Sequence, residues 1–189
     1  IMYKGRLFTD VTLHVPGVHN VKNALAATAA CICLGVRPLA VKYGLAGFNG
    51  AGRRFEFKGK FNGAEIYDDY AHHPGELKAL LDTVETLNYQ RTILAFQPHT
   101  YSRTAALFDD FVEQLKRPDV LMLAEIFAAR EKNTIGISSA DLADKIENSF
   151  YFPTFDELEA ALRVSARPGD IILTVGAGDI YKVGERLVK

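Results

Sequence analysis

The sequence has 189 residues, of which 48% are hydrophobic and 24% charged, and its formal net charge is −1 at pH 7. These values are typical of an ordinary globular protein, and they exclude the strong positive field that non-specific nucleic-acid binding requires. No apolar run approaches the ~18 residues of a membrane-spanning helix, so we expect no nucleic acid and no membrane insertion. The cysteines at 31 and 33 would point to different faces of a helix, which fits a reducing, cytoplasmic setting.

The first fifty residues predict two short strands and two helices. Residues 1–15 alternate weakly between apolar and polar side chains, as short strands do. An alanine-rich stretch predicts a helix over Val21–Leu34 with Asn20 as its N-cap, and a second helix over Leu39–Ala46. Because the chain opens on Ile1 inside a strand pattern, we expect it to be a piece of a longer protein.

A glycine-dense stretch over residues 47–52 predicts a hinge, and we place a domain boundary there, with residues 1–50 before it and 51–189 after it. Strand and helix patterns then alternate. The predicted strands are Arg54–Phe61, Ala64–Asp69, Arg91–Phe96, Val120–Leu123, Phe150–Phe152 and Ile171–Val175. The predicted helices are Pro74–Asn88, Ser102–Leu115, Ser138–Ile146, Phe155–Ala166 and Ile180–Val188. This alternation predicts an α/β domain with a mostly parallel sheet, apart from an initial hairpin around Asn62-Gly63.

Two polar segments each follow a predicted strand and precede a predicted helix. They are Asp68-Asp69-Tyr70-Ala71-His72-His73-Pro74 and Gln97-Pro98-His99-Thr100-Tyr101-Ser102-Arg103-Thr104. Ligands of open α/β sheets bind at this edge of the sheet. Two carboxylates, three of the five histidines and an arginine are therefore expected to converge in one crevice, which favours an enzyme active site.

Each of these residues also has a simpler explanation than catalysis. An aspartate at a strand end can hold a ribose, but it can equally cap the following helix. Two adjacent histidines, by contrast, serve no obvious capping need. The histidines and aspartates could in principle bind zinc or manganese, but no metal-binding spacing is present, and we predict no metal site.

Two further features are compatible with nucleotide binding. Arg53 and Arg54 lie at the hinge and could reach a phosphate, although solvated surface residues would look the same. Gly176-Ala177-Gly178 follows the last predicted strand and is half of a dinucleotide-binding fingerprint. A phosphate loop of the G-x-x-x-x-G-K-[ST] type is absent from these 189 residues.

The segments His19–Ala27, Arg53–Glu56, Asp68–Pro74 and Gln97–Thr104, in this order, closely resemble the Mur ligase family of peptidoglycan synthesis. The resemblance runs from about residue 8 to the C-terminus. It implies three domains in the whole enzyme: an N-terminal UDP-binding domain, a central ATPase with a phosphate loop, and a Rossmann-like C-terminal domain. The chain would then hold the helix-and-strand tail of the central domain and all of the C-terminal domain, and its partners would include the missing domains.

The resemblance also implies an activity. Within the family, the paired motifs resemble the branch that uses ATP and Mg²⁺ to join L-alanine to UDP-N-acetylmuramate through an acyl phosphate. The Mg²⁺ ligands and the phosphate-loop lysine would lie in the missing part, so the chain alone is expected to be inactive. The resemblance assigns nucleotide binding to His19, Asn23, Arg54 and Asp69. It assigns the alanine and acyl-phosphate side to Tyr70, His72, His99 and Arg103, with Arg103 as the carboxylate partner.

One position departs from the family pattern, because Thr100 stands where many members carry an arginine. Three other functions stay open from the sequence. The first is a related ligase that recycles muramyl tripeptide, and the second is a stand-alone nucleotide- or amino-acid-binding module. The third is a metal-dependent hydrolase that uses the histidine cluster.

Overall fold

The computed structural model describes residues 1–189 and divides them into two compact units, Ile1–Ala51 and Gly52–Lys189. The first unit contains β1 (Met2–Tyr3), β2 (Arg6–Leu7), α1 (Val18–Cys33) and α2 (Pro38–Ala46). Strands β1 and β2 pair in antiparallel fashion. None of the helices combines the length and the hydrophobicity that crossing a bilayer requires.

Helix α1 begins earlier than the sequence predicts. Gly17 occupies the N-cap position with a φ of 95°, a conformation that glycine adopts without steric cost. Asn20 lies inside the first turn, where its Nδ2 donates to the carbonyl of Pro16 over 2.6 Å. The prediction of Asn20 as the N-cap is therefore wrong, because a flexible glycine three residues earlier starts the helix.

The second unit is a six-stranded sheet with helices on both faces. Its strands are β3 (Glu56–Phe61), β4 (Ala64–Asp69), β5 (Arg91–Phe96), β6 (Val120–Ala124), β7 (Ser149–Phe152) and β8 (Asp170–Val175). Its helices are α3 (Pro74–Val84), α4 (Tyr101–Ala106), α5 (Phe108–Leu115), α6 (Ser139–Ala143), α7 (Phe155–Ser165) and α8 (Tyr181–Leu187). The strand order is β3-β4-β8-β5-β6-β7, and only the β3–β4 pair is antiparallel. The predicted α/β fold with a mostly parallel sheet is confirmed.

Two apolar clusters, one on each face of this sheet, form the core. Successive strand residues point to opposite faces, so Leu94 and Phe96 join the cluster that contains α3 and α5. Ile93 and Ala95 join the other cluster, which contains α7 and α8. Strands buried on both faces explain the nearly continuous apolar runs in the sequence.

Two local structures bear on the sequence predictions. The hairpin between β3 and β4 turns at Asn62 and Gly63, whose φ values of 49° and 80° suit a two-residue hairpin turn. The predicted helix Ser102–Leu115 is wrong as a single element, because Leu107 departs from helical geometry (φ −116°, ψ 26°) and separates α4 from α5. Neither glycine nor proline marks this break in the sequence.

The parallel register brings the carboxyl ends of four strands to one edge. Val175 at the end of β8 pairs with Asp69 of β4 on one side and with Phe96 of β5 on the other. Phe96 in turn pairs with Leu123 of β6. The segments that follow these strands therefore emerge side by side.

Candidate active site

The two aspartates at the end of β4 are buried and hydrogen-bonded within the fold. Asp68 is 0% exposed and receives hydrogen bonds from Arg53 Nε at 2.9 Å and Thr174 Oγ1 at 3.0 Å. Asp69 accepts the backbone N–H groups of Phe55 and Ala71, each at 2.8 Å. Burial raises the pKa of both carboxyls, against the opposing effect of these hydrogen bonds. The pair anchors the strand end on both faces of the sheet.

Beyond Asp69, an aromatic side chain and a histidine lie at the exposed edge. The rings of Tyr70 and His72 meet edge to face with 5.5 Å between centroids. His72 Nδ1 is 3.1 Å from the Tyr70 carbonyl and 3.3 Å from a carboxylate oxygen of Glu76. Both neighbours are acceptors, which assigns the ring proton to Nδ1 and leaves the Nε2 lone pair of the neutral ring free.

The second histidine of the pair has a structural role. His73 is the N-cap of α3, and its Nδ1 accepts the N–H of Gly75 over 3.1 Å. The carboxylate of Glu76 returns to the His73 N–H, which completes a capping box. The expectation that adjacent histidines serve no capping need is therefore wrong for His73.

The segment after β5 brings a histidine and an arginine to the same place. The His99 ring lies 5.8 Å from the His72 ring, and its Nδ1 is 3.3 Å from Arg103 Nη1. Since the guanidinium can only donate, Nδ1 of His99 is the acceptor. Burial first, and then the positive charge of Arg103, lower the pKa of His99 below its usual value. Tyr70, His72, His99 and Arg103 thus form one continuous cluster, which places these four predicted residues together.

The loop after β6 completes the site, and the sequence analysis assigned no residue to it. Phe127 stacks on His99 with 5.5 Å between ring centroids and an interplanar angle of 26°. Glu131 accepts both the backbone N–H of Ser102, at 2.9 Å, and its hydroxyl, at 2.5 Å. The available signal was the position of this loop directly after a buried strand, because β6 had to end at the same edge as β5.

Arg53 is a clamp inside the fold. Its guanidinium lies between the rings of Tyr70 and Tyr181, 4.9 and 4.7 Å from their centroids. It donates to the carbonyls of Gly176 at 2.5 Å and Gly178 at 3.3 Å, in addition to its bond with Asp68. Arg53 is therefore occupied, which argues against the phosphate contact considered for it.

The remaining predicted residues differ in how accessible their side chains are to a ligand. Arg54 is exposed, and its guanidinium carbon lies 5.8 Å from the centroid of the Tyr70 ring. His19 and Asn23 lie four residues apart on α1 of the first unit, a spacing that puts them on one face of the helix. Asn23 is exposed, and its amide makes only a long 3.4 Å bond to Asn20.

No group of three or more His, Cys, Asp and Glu side chains is arranged to hold a metal ion. The side chains of this chain therefore do not form a Mg²⁺ cage by themselves, although Mg²⁺ commonly takes only one or two carboxylates and completes its shell with water and phosphate oxygens.

The family follows from comparison with known proteins. A family model described as the Mur ligase glutamate ligase domain matches residues 53–178. The chain belongs to the Mur ligase family. This Mur ligase chain is 49% identical over 192 residues to UDP-N-acetylmuramate–L-alanine ligase of Agathobacter rectalis. It is 48% identical over 193 residues to the enzyme of that name from Lachnospira eligens. Each match covers 100% of this chain and 42% of the relative, so the chain spans less than half of their length.

Solved structures agree with this assignment. UDP-N-acetylmuramate-alanine ligase of Thermotoga maritima superposes with a TM-score of 0.80 at 28% identity, over 97% of this chain and 40% of that one. A murein peptide ligase of Psychrobacter arcticus, at 24% identity, shares the fold with a TM-score of 0.72 over 94% of this chain and 38% of that one. The predicted family resemblance is therefore confirmed.

Proposed function

We propose that this chain is part of an ATP-dependent ligase that joins L-alanine to UDP-N-acetylmuramate in peptidoglycan synthesis. The observation that carries the proposal is the cluster of His72, His99 and Arg103 at the sheet edge. It occurs in a chain that is 49% identical, over its whole length, to a relative named UDP-N-acetylmuramate–L-alanine ligase. We place this reaction in the cytoplasm, where a bacterial cell makes ATP and UDP-sugars.

The two units would belong to different domains of the whole enzyme. We assign the first unit to the end of the central ATP-binding domain and the second to the C-terminal domain. The phosphate loop and the Mg²⁺ ligands would be supplied by the rest of the enzyme. The 189-residue chain alone is therefore expected to have no ligase activity.

Each unit offers residues that we assign to nucleotide binding. Asn23 has an exposed amide that can read the adenine edge, and His19 lies on the same face of α1. Arg54 offers an exposed guanidinium to a phosphate. Each oxygen of Asp69 holds one backbone N–H and keeps a lone pair that can accept a ribose hydroxyl.

The chemistry would proceed by phosphorylation of the muramoyl carboxylate and attack of the alanine amine on the acyl phosphate. The C–N bond forms, the C–O bond to phosphate breaks, and the amine loses a proton. His72 has a free Nε2 lone pair that can accept that proton, because its Nδ1 is held by two acceptors. Arg103 would bind the alanine carboxylate and so orient the amine.

The test is phosphate release by the complete enzyme that contains this chain, with ATP, UDP-N-acetylmuramate and L-alanine. We expect release to require all three substrates. Arg103→Gln should raise the KM for alanine by about 10- to 100-fold, the cost of losing a charged hydrogen bond. Arg167→Gln is the matched control, because Arg167 is exposed and lies just before β8, at the opposite edge of the sheet.

Two results would contradict the proposal. One is an Arg103→Gln enzyme with unchanged alanine kinetics, which would remove the role of the cluster in substrate binding. The other is phosphate release that depends on a muramyl tripeptide in place of alanine, which would indicate the recycling ligase.

A further inference from the structure

Arg130 lies in a strained turn of the loop after β6, and its side chain forms no hydrogen bond or ion pair within the fold. The N–H of Glu131 donates to the carbonyl of Ala128 over 2.9 Å and closes a turn through Ala129 and Arg130. Ala129 has a φ of 53°, a left-handed conformation that costs an L-residue about 1 kcal/mol or more. Such strain persists where the surrounding contacts determine the backbone.

Contacts on both sides fix this turn to the segment that carries His99. Before the turn, Phe127 donates to the Pro98 carbonyl and accepts the Thr100 N–H, each at 2.9 Å. After the turn, the Glu131 carboxylate holds the first turn of α4 through Ser102. Residues 128–130 therefore bridge two attachment points that flank the start of the helix bearing Arg103.

Arg130 differs from the ion-paired arginines of its unit. Five arginines of that unit form ion pairs with carboxylates: Arg53, Arg91, Arg117, Arg163 and Arg186. Arg130 is exposed and has no side-chain hydrogen bond or ion pair, and its neighbour Glu131 is committed to Ser102. Its guanidinium therefore keeps all of its N–H donors for an anion.

We propose that Arg130 is a second residue that binds the carboxylate of the amino-acid substrate, together with Arg103. This inference rests on the proposed function. A carboxylate has about four lone-pair positions, whereas Arg103 shares its guanidinium with His99. Position 100, next to His99, is a threonine and brings no cation. The turn after β6 adds a second arginine to the segment that is bonded to Thr100.

The experiment compares Arg130→Gln with Lys132→Gln in the complete enzyme. Lys132 is the matched control, since it is exposed, unpaired and two residues further along the same loop. We expect Arg130→Gln to raise the KM for L-alanine by about 10-fold, with kcat and the KM for ATP changed by no more than about twofold. Arg130→Lys should recover part of the loss, because it keeps the charge but not the planar fork. Lys132→Gln should behave as wild type.

L-Alaninamide, which lacks the carboxylate, separates binding from a structural role. If Arg130 contacts the carboxylate, Arg130→Gln leaves kcat/KM for alaninamide unchanged while that for alanine falls. An unchanged KM for alanine, or an equal loss with both substrates, would overturn the inference and leave the proposed function standing. A wild-type enzyme without alanine-dependent phosphate release would overturn the proposed function, and this inference with it.

Discussion

Arg53 and Asp68 form an ion pair that joins the start of the second unit to the end of its strand β4. The distance between Nε and Oδ2 is 2.9 Å, and the aspartate is 0% exposed whereas the arginine side chain keeps 24% of its surface accessible. The same guanidinium holds two carbonyls of the glycine turn after β8. One side chain thereby fixes the relative positions of two strand ends at the site.

Removing this arginine should destabilise the second unit strongly. We expect Arg53→Met to lower its free energy of unfolding at pH 7 by about 3 kcal/mol, because Asp68 would keep a buried charge without a partner. The measurement is native-state hydrogen exchange of amides in β5 and β8. Arg54→Met, the exposed neighbour, should change the same quantity by less than about 0.5 kcal/mol.

The loss of stability in Arg53→Met should also depend on pH. Burial raises the pKa of Asp68, so the cost of its charge is fully present above that pKa and is relieved as the pH falls through it. The difference in stability between Arg53→Met and wild type should therefore shrink on acidification. A difference that stays constant down to about pH 3 would contradict the buried charge as its cause.

His99 should make the protein less stable in mild acid. Its folded-state pKa is lowered by burial and by the nearby Arg103, so the unfolded chain binds the proton more tightly. This histidine's contribution to the free energy of unfolding is full above its usual pKa of about 6.5 and decreases as the pH falls toward the folded-state pKa. Urea unfolding followed by circular dichroism at several pH values should show a smaller pH slope in His99→Gln.

Thr100 carries a strained backbone next to His99. Its φ of 69° and ψ of 140° are unfavourable for a β-branched residue, and its N–H and carbonyl are both held, by Phe127 and by Thr104. We expect Thr100→Gly to raise the free energy of unfolding by about 1 kcal/mol, since glycine relieves the strain but gains freedom in the unfolded chain. Thr100→Ala keeps the left-handed strain and should give no such increase. Stabilisation by both variants would show that the β-carbon is not the source of strain.

Gly176 is required for the close approach of β8 to the segment after β5. A β-carbon there would lie 2.6 Å from the backbone carbonyl oxygen of Gln97, and φ is +147°. We expect Gly176→Ala to cost about 3 kcal/mol, from a backbone clash added to the conformational strain. Gly136→Ala is the control, because its φ is +76° but no atom lies within 4 Å of the new carbon. Its cost should be only about 1 kcal/mol, by the same thermal or denaturant measurement.

The apolar strand runs and the hairpin turn could be predicted from the sequence alone. Buried parallel strands need continuous apolar runs, and β5 and β8 show them; the hairpin follows from Asn62-Gly63. Because parallel strands share the direction of their ends, the two polar segments after β4 and β5 could be placed in one site. That part of the prediction depended only on local chemistry and on the geometry of a sheet.

Where several groups compete for one partner, the sequence was not sufficient. Gly17 replaced Asn20 as the cap of α1, His73 proved to be a cap, and α4 and α5 separate at a leucine. Each outcome depends on which neighbouring group makes the contact with the backbone in the folded structure. Intrinsic helix propensity does not determine this choice.

The sequence by itself determined the family and the α/β fold, since these depend on periodicity and motif spacing, and it selected the residues that we propose for the chemistry. Only the tertiary structure decided which of two adjacent residues is structural and which is free: Arg53 is clamped and Arg54 is exposed, and His73 caps a helix while His72 faces His99. The tertiary structure also brought the loop after β6 into the site. The reason is that hydrogen bonds and ion pairs between distant segments are set by packing, which no local pattern encodes.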